Sequence, residues 1–231
     1  MKMGIPIATM ATTTNKTAPA EAPLDCTLCP RLVAYRVENQ QDEPGWFNAP
    51  VPSFGDENAR LLVVGLAPGR TGANKTGRPF TGDWAGDLLY STLAEFGFTD
   101  GEYGAHADDG LKLNGAMITN AVRCVPPENK PVGKEINACR PFLVSRLAEL
   151  KSVKALVTLG KISHDSTLRA LGLKVSAHPF GHDVHYEIES PFDGAPLHII
   201  SSYHCSRYNT NTGRLTEAMF HDVFRRAKSL L

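Results

Sequence analysis

Apolar positions along the chain follow two periods. Short aliphatic and β-branched runs at Leu61–Val64, Ala116–Val122, Lys154–Leu159 and Leu197–Ser201 have the length and composition of buried strands. Val184–Ile188 alternates, as a half-exposed strand does. Between these runs apolar residues recur at spacings of three and four. Trp84, Leu88, Leu89, Leu93 and Phe96 predict a helix over 83–98; Ile136, Phe142, Leu143, Leu147 and Leu150 predict another over 133–151. A third is expected from Lys161 to Leu173, and a last one over 215–231 with Thr212 as its N-cap and Glu217 in its first turns. A short helix at Leu32–Val37 precedes them. The Pro- and Gly-bearing stretch 40–58 reads as loop, with Trp46 and Phe47 packed under a cluster or capping the core, and the acidic, Gly-rich stretch 99–110 as a solvated loop.

Strands alternating with helices predict an α/β fold: a three-layer αβα sandwich around a central, mainly parallel four-stranded sheet. Residues 23–231 make one domain of ample size. Residues 1–22, rich in Thr, Ala and Pro, read as a disordered tail rather than a signal peptide.

Two polar stretches follow strands and therefore belong on the carboxyl edge of the sheet, where α/β proteins bind ligands. The first is Gly65–Asp83, GLAPGRTGANKTGRPFTGD, glycine-rich with two prolines and three cationic side chains. It is far longer than the usual connection of about four to six residues. Its segment GRTGANKT nearly fits the phosphate loop GxxxxGK[ST]. Asn74 stands where the second glycine belongs, however, and Gly77 and Pro79 follow where a helix would have to continue, so nucleotide triphosphate hydrolysis is set aside. The second stretch is Tyr203–Thr210, YHCSRYNT. Asn120, near the end of a β-branched run where asparagine is unfavourable, is either used there or satisfied by a neighbouring loop.

Charge narrows the field little: 24 basic against 24 acidic residues leave no global basic field, so nucleic-acid binding would need a local patch. No apolar run reaches transmembrane length. An intracellular, reducing compartment is expected, specifically the cytoplasm in association with the nucleoid. The five cysteines then point to metal more than to disulfides: a CxxC at Cys26 and Cys29, then Cys124 and Cys139, with Cys205 apart. Thiolates suit either zinc or an iron–sulfur cluster, and the spacing does not choose between them.

The glycine loop resembles the first motif of the uracil-DNA glycosylase superfamily, and most closely its family 5 (B-type) members. The related family 4 has a glutamate where Leu66 stands. The four cysteines resemble the [4Fe–4S] ligand set of families 4 and 5, and the HxSxxNT pattern of Tyr203–Thr210 resembles the active-site loop of family 5, with Cys205 in place of the usual proline. The resemblance spans about residues 26–226. It implies a monofunctional DNA repair enzyme of base excision repair. Such an enzyme flips uracil, and other deaminated or damaged bases such as hypoxanthine and ethenocytosine, out of DNA and hydrolyses the N-glycosidic bond.

It also implies roles for residues. Gly65, Ala67, Phe80 and Asn120 would surround the base. Asp83 would stabilise the sugar cation or orient water, with helix capping as its competing role. His204 would hydrogen-bond the departing base, and Asn120 would join the catalytic set. Lys75, Arg78, Ser206, Arg207 and Asn209 would face DNA, and Cys26, Cys29, Cys124 and Cys139 would hold the cluster. The expected partner is DNA containing uracil or other deaminated bases, with no membrane and a monomeric protein. The alternative is an iron–sulfur or zinc-stabilised DNA-binding or electron-transfer protein without glycosylase activity. That reading accounts for the cysteines and leaves the glycine loop and YHCSRYNT without a task.

Overall fold

In the computed structural model, which describes residues 18–231, the predicted strands lie side by side and every residue of the central ones is buried. In chain order the elements are α1 (Pro30–Asp42), β1 (Phe54–Gly55), β2 (Leu61–Gly65), α2 (Ala73–Thr76), α3 (Trp84–Glu95), β3 (Thr99–Asp100), β4 (Lys112–Leu113), β5 (Ala116–Asn120), α4 (Gly133–Glu149), β6 (Ala155–Leu159), α5 (Lys161–Ala170), β7 (Val184–Glu189), β8 (Pro196–Ser202), α6 (Arg207–Asn211) and α7 (Glu217–Ser229). The main sheet has the order β1-β5-β2-β6-β8-β7. Its four inner strands are parallel, as expected. Antiparallel edges β1 and β7 extend the four-stranded core to six. The two-residue β1 lies in the stretch read as loop; two residues carry no period to recognise.

The period of two along each strand separates two cores. Leu61, Val63, Ile118 and Val157 face α3 and α7, while Leu62, Val64, Met117 and Leu156 face α4 and α5. Connections leaving β2 and β5 therefore diverge to opposite faces, although the strands are neighbours paired at Gly65↔Asn120. That divergence opens a crevice at their carboxyl ends.

Several expectations shift. α1 runs to Asp42, well past the predicted Val37. α7 starts at Glu217, capped by Thr216, whose side chain accepts from the Met219 N–H at 3.2 Å; Thr212 instead ends α6, inside the predicted loop. Leu215 continues the apolar period only because it is buried under the loop. Residues 18–22, assigned above to the tail, are packed: Ala20 is buried, its carbonyl accepts from Arg123 Nη2 at 3.0 Å, and Glu21 pairs with Arg146 at 2.7 Å. The rest of the tail assignment lies outside the described residues. Trp46 and Phe47 neither cap the core nor reach the cysteines. They pack on the glycine loop, Trp46 beneath Arg70 and Lys75, Phe47 against Gly77.

Candidate active site

The long loop after β2 is held from within. Asn74, at the position that spoiled the phosphate-loop match, is buried and donates to Asn48 Oδ1 at 2.8 Å, closing the single turn α2. The chain then doubles back through Phe80, whose φ of 52° is a left-handed conformation that an aromatic residue rarely adopts. This places the Phe80 ring against Gly65: a Cβ on that glycine would lie 2.6 Å from Phe80 Cε2, and would also collide with Asn120 Oδ1. Gly65 thus does not line the pocket; it leaves room for the two residues that do.

Above Phe80 lies a cavity of about 410 Å³. Leu66, Ala67, Pro68 and Gly69 form one wall, Phe80, Asp83, Trp84 and Ala85 a second, Asn120 and Asn129 a third, and His204, Ser206 and Arg207 the rim. Three loops separated in sequence by dozens of residues meet here, because β2, β5 and β8 all end on the same edge.

Four polar groups face the cavity with capacity to spare. Asn120 is 2% exposed, and its Oδ1 is sealed from solvent with no donor among the described residues. A buried acceptor left unpaired by protein groups costs about 1–3 kcal/mol. Asp83 is both cap and pocket wall. Its Oδ1 accepts from the Gly86 N–H at 3.0 Å, while Oδ2 accepts no bond among the described residues. Burial pushes its carboxyl up, against the pull of the Gly86 and Ala85 amides. His204 stacks on Phe80 with ring centroids 5.9 Å apart, and burial pushes its imidazole down to about 4, so the ring is neutral near pH 7. Arg207 lies exposed over Trp84, 5.7 Å from the ring, and Trp84 Nε1 donates to Thr210 Oγ1 at 3.0 Å.

The other expected residues divide. Ala67 lines the cavity. Ser206 lies at its rim and caps α6. Lys75 is exposed beside Trp46, outside the cavity. Asn209 donates from Nδ2 to the His204 carbonyl at 2.8 Å and so braces the loop. Arg78 does not face DNA. It is 4% exposed and makes a bidentate pair with Asp109 at 2.7 and 2.6 Å. Asp109 belongs to the loop read as solvated, and a buried partner is what draws it inward. Two pocket residues escaped the sequence reading. Trp84 fits the apolar period of α3 but stands 48% exposed at the rim. Asn129, between Pro127 and Pro131 in the connection from β5 to α4, sits at φ 56°, a conformation asparagine tolerates, and that tolerance was the available signal.

Behind this wall Cys26, Cys29, Cys124 and Cys139 line one small apolar cavity together with Leu32 and Phe142. Burial pushes Cys124 up to about 12 and Cys139 up to about 11. The Arg123 backbone N–H donates to Cys139 Sγ at 3.3 Å. Among the described residues, no three His, Cys, Asp or Glu side chains converge tightly enough for a single metal ion.

The fold is an α/β protein with a ligand-sized cavity at the carboxyl edge of its parallel sheet, and the aromatic floor, amide, carboxylate and neutral imidazole of that cavity have the shape and chemistry of a site for a flat polar heterocycle. The Uracil DNA glycosylase superfamily model matches residues 52–228. A type-5 uracil-DNA glycosylase of Thermus thermophilus is 47% identical over 211 residues, covering 89% of this chain and 93% of that one. One of Pyrobaculum aerophilum is 38% identical, covering 88% of each. A type-4 uracil-DNA glycosylase of Sulfurisphaera tokodaii is 31% identical, covering 75% of this chain and 72% of its own. The chain belongs to the uracil-DNA glycosylase superfamily, in its type-5 branch.

Proposed function

We propose that this protein excises uracil from DNA by hydrolysing the N-glycosidic bond, and that the observation carrying this is the unpaired Asn120 amide above Phe80. The base must leave the duplex to reach it. Once flipped, it lies on the Phe80 ring and its amide-like edge pairs with Asn120 Oδ1 and Nδ2. Bond cleavage builds positive charge on the sugar and negative charge on the base. The Asp83 carboxylate, on the cavity wall, faces the former. His204, a neutral imidazole, donates a hydrogen bond to the latter, so its task is to stabilise charge and not to transfer a proton. Excision of uracil by the purified protein from a uracil-containing duplex, read as alkali-labile abasic sites, tests the proposal; an intact strand overturns it.

The same reading extends to hypoxanthine and ethenocytosine. The support is the open cavity of about 410 Å³ and the apolar Leu66 on its wall, which imposes no polar demand on the base. The protein is expected to act as a monomer in the cytoplasm, on DNA of the nucleoid. No helix among the described residues is long and apolar enough to cross a membrane.

The neutral state of His204 has a kinetic consequence. Its low pKa leaves the ring uncharged at every pH well above 4, so the single-turnover rate is expected to show no inflection from this group between about pH 5.5 and 8. His204→Gln, which keeps a neutral donor, should retain more activity than His204→Ala. An inflection near 6.5 that disappears in His204→Gln would show instead that the imidazolium is the working form.

DNA affinity is expected to rest on local cations at the rim. Arg207→Ala should reduce the slope of log affinity against log salt by about one phosphate's worth, roughly 0.9. An unchanged slope would turn Arg207 away from the backbone.

The four cysteines are proposed to hold a [4Fe–4S] cluster. Tetrahedral zinc at about 2.3 Å from each thiolate needs sulfurs closer together than a cluster does, and no such tight group is present among the described residues. Buried cations also suit an anionic cluster: Arg36 Nη1 and Arg123 Nε, beside this cavity, have no partner among the described residues. The cluster would supply a structural tie between the N-terminal segment, the connection after β5 and α4. Purified protein is expected to be brown, with iron and sulfide lost in Cys124→Ser and retained in Cys205→Ser. Stoichiometric zinc without iron would overturn this.

A further inference from the structure

Arg78 and Asp109 have no role in the chemistry above, yet both side chains are buried, at 5% and 3% exposure. A buried ion pair is weak evidence for stability, because desolvation offsets much of its attraction. Its surroundings suggest another use. The guanidinium packs over three aromatic rings, 5.0 Å from Phe54, 5.4 Å from Tyr90 and 5.7 Å from Tyr103. Tyr90 and Tyr103 stack on each other at 4.4 Å. Asp109 is itself fixed by the Gly104 and Leu111 N–H groups, at 2.9 and 3.0 Å.

This cluster grips the strained turn by its carbonyls. The two inner carbonyls of the turn each accept a bond from a tyrosine hydroxyl, that of Pro79 from Tyr90 at 2.8 Å and that of Phe80 from Tyr103 at 3.3 Å. The single hydroxyl proton of Thr76 is within reach of the Arg78 carbonyl or the Thr81 carbonyl, at 3.3 and 3.2 Å. Arg78 Nε donates to Thr81 Oγ1 at 2.8 Å. The turn also presses its Phe80 carbonyl onto Gly86, where any side chain would collide. A left-handed aromatic residue persists only where its surroundings over-determine it.

We propose that the Arg78–Asp109 pair is a positioning unit: it orders Tyr90 and Tyr103, which hold the 78–81 turn so that the Phe80 ring lies flat beneath the flipped base. The proposal rests on the reading that uracil is excised in this pocket. Neither residue touches the base; both act through Phe80.

The test is a double-mutant cycle of Asp109→Asn with Phe80→Leu, read in three ways. Asp109→Asn is expected to slow single-turnover uracil excision by about 10–100-fold, the scale of a misplacement near 1 Å. Affinity for a duplex carrying a tetrahydrofuran abasic analogue, which has no base to stack, should stay within about twofold. In the Phe80→Leu background Asp109→Asn should slow excision by no more than about a further twofold, since coupled residues are not additive.

The third readout is the His204 ring pKa by NMR, assigned through His204→Gln. It should rise toward the ordinary histidine value as the Phe80 ring slips off. If the two substitutions slow excision multiplicatively, or if His204 titrates as in the wild type, the pair is merely structural and the proposal is wrong. A wild type that leaves uracil untouched would sink the excision reading, while the histidine titration still decides the positioning claim. If Asp109→Asn does not fold, Tyr103→Phe removes only the hydroxyl on the Phe80 carbonyl. The same pattern is then expected at about 3–10-fold, and unchanged excision with an unchanged His204 titration would overturn the proposal.

Discussion

Asp83→Asn is expected to lower the single-turnover rate of uracil excision by about 10²–10³, the usual loss when one pre-oriented electrostatic partner is removed. The substitution separates the two tasks of this side chain. Asparagine caps helices about as well as aspartate, so the bond to the Gly86 N–H survives. What disappears is the negative charge of a carboxylate that lines the cavity and keeps its Oδ2 free of donors among the described residues. Folding stability should therefore change little, by no more than the roughly 0.3–1 kcal/mol of a charge at a helix N-terminus. Burial raises the carboxyl, so the ionised form is reached at higher pH than for an ordinary aspartate. The wild-type rate should rise with pH across that displaced titration, and the Asp83→Asn variant should lose the rise. A variant that excises at the wild-type rate would reduce Asp83 to a helix cap.

The parts of this fold legible in the sequence are those set by burial. The inner strands are apolar on both faces because helices cover both, and their short aliphatic runs show it directly. The edges are less visible: β1 contributes two residues, whose pairing with β5 is a tertiary event. In the site, the motif stretches located the walls correctly, since a strand followed by a long polar loop must end at the carboxyl edge. Individual side chains were harder. Arg78 looks like a DNA contact until Asp109, distant in sequence, is folded over it. Asn209 looks like a ligand group until its amide is seen bracing the His204 carbonyl. Residues 18–22 look disordered by composition, yet the buried Arg123 and Arg146 find their acceptors there. For Arg78, Arg123 and Arg146 the missing information is a long-range partner for a charged group, and for Asn209 it is the local loop conformation; residue type and periodicity encode neither.

Asn120 makes the opposite case, and the second large effect follows from it. Its Oδ1 is buried without a donor among the described residues, while its register partner Gly65 is denuded of any side chain to admit it. On the proposed reading, a group held this way costs the free protein stability and is compensated when a base arrives. Asn120→Leu, close in volume, removes the unpaired amide from the end of β5. Folding should become more favourable by part of the about 1–3 kcal/mol that an unsatisfied buried acceptor costs. The thermal midpoint should rise by about 2–4 °C per kcal/mol for a chain of this length. Excision should fall by about 10²–10³, because the base edge then meets a methyl group in place of a paired acceptor and donor. The two measurements must move in opposite directions. Stability and rate falling together would mean that Asn120 is bonded within the free protein, and that the base is read by Asn129 or by backbone groups of the glycine loop.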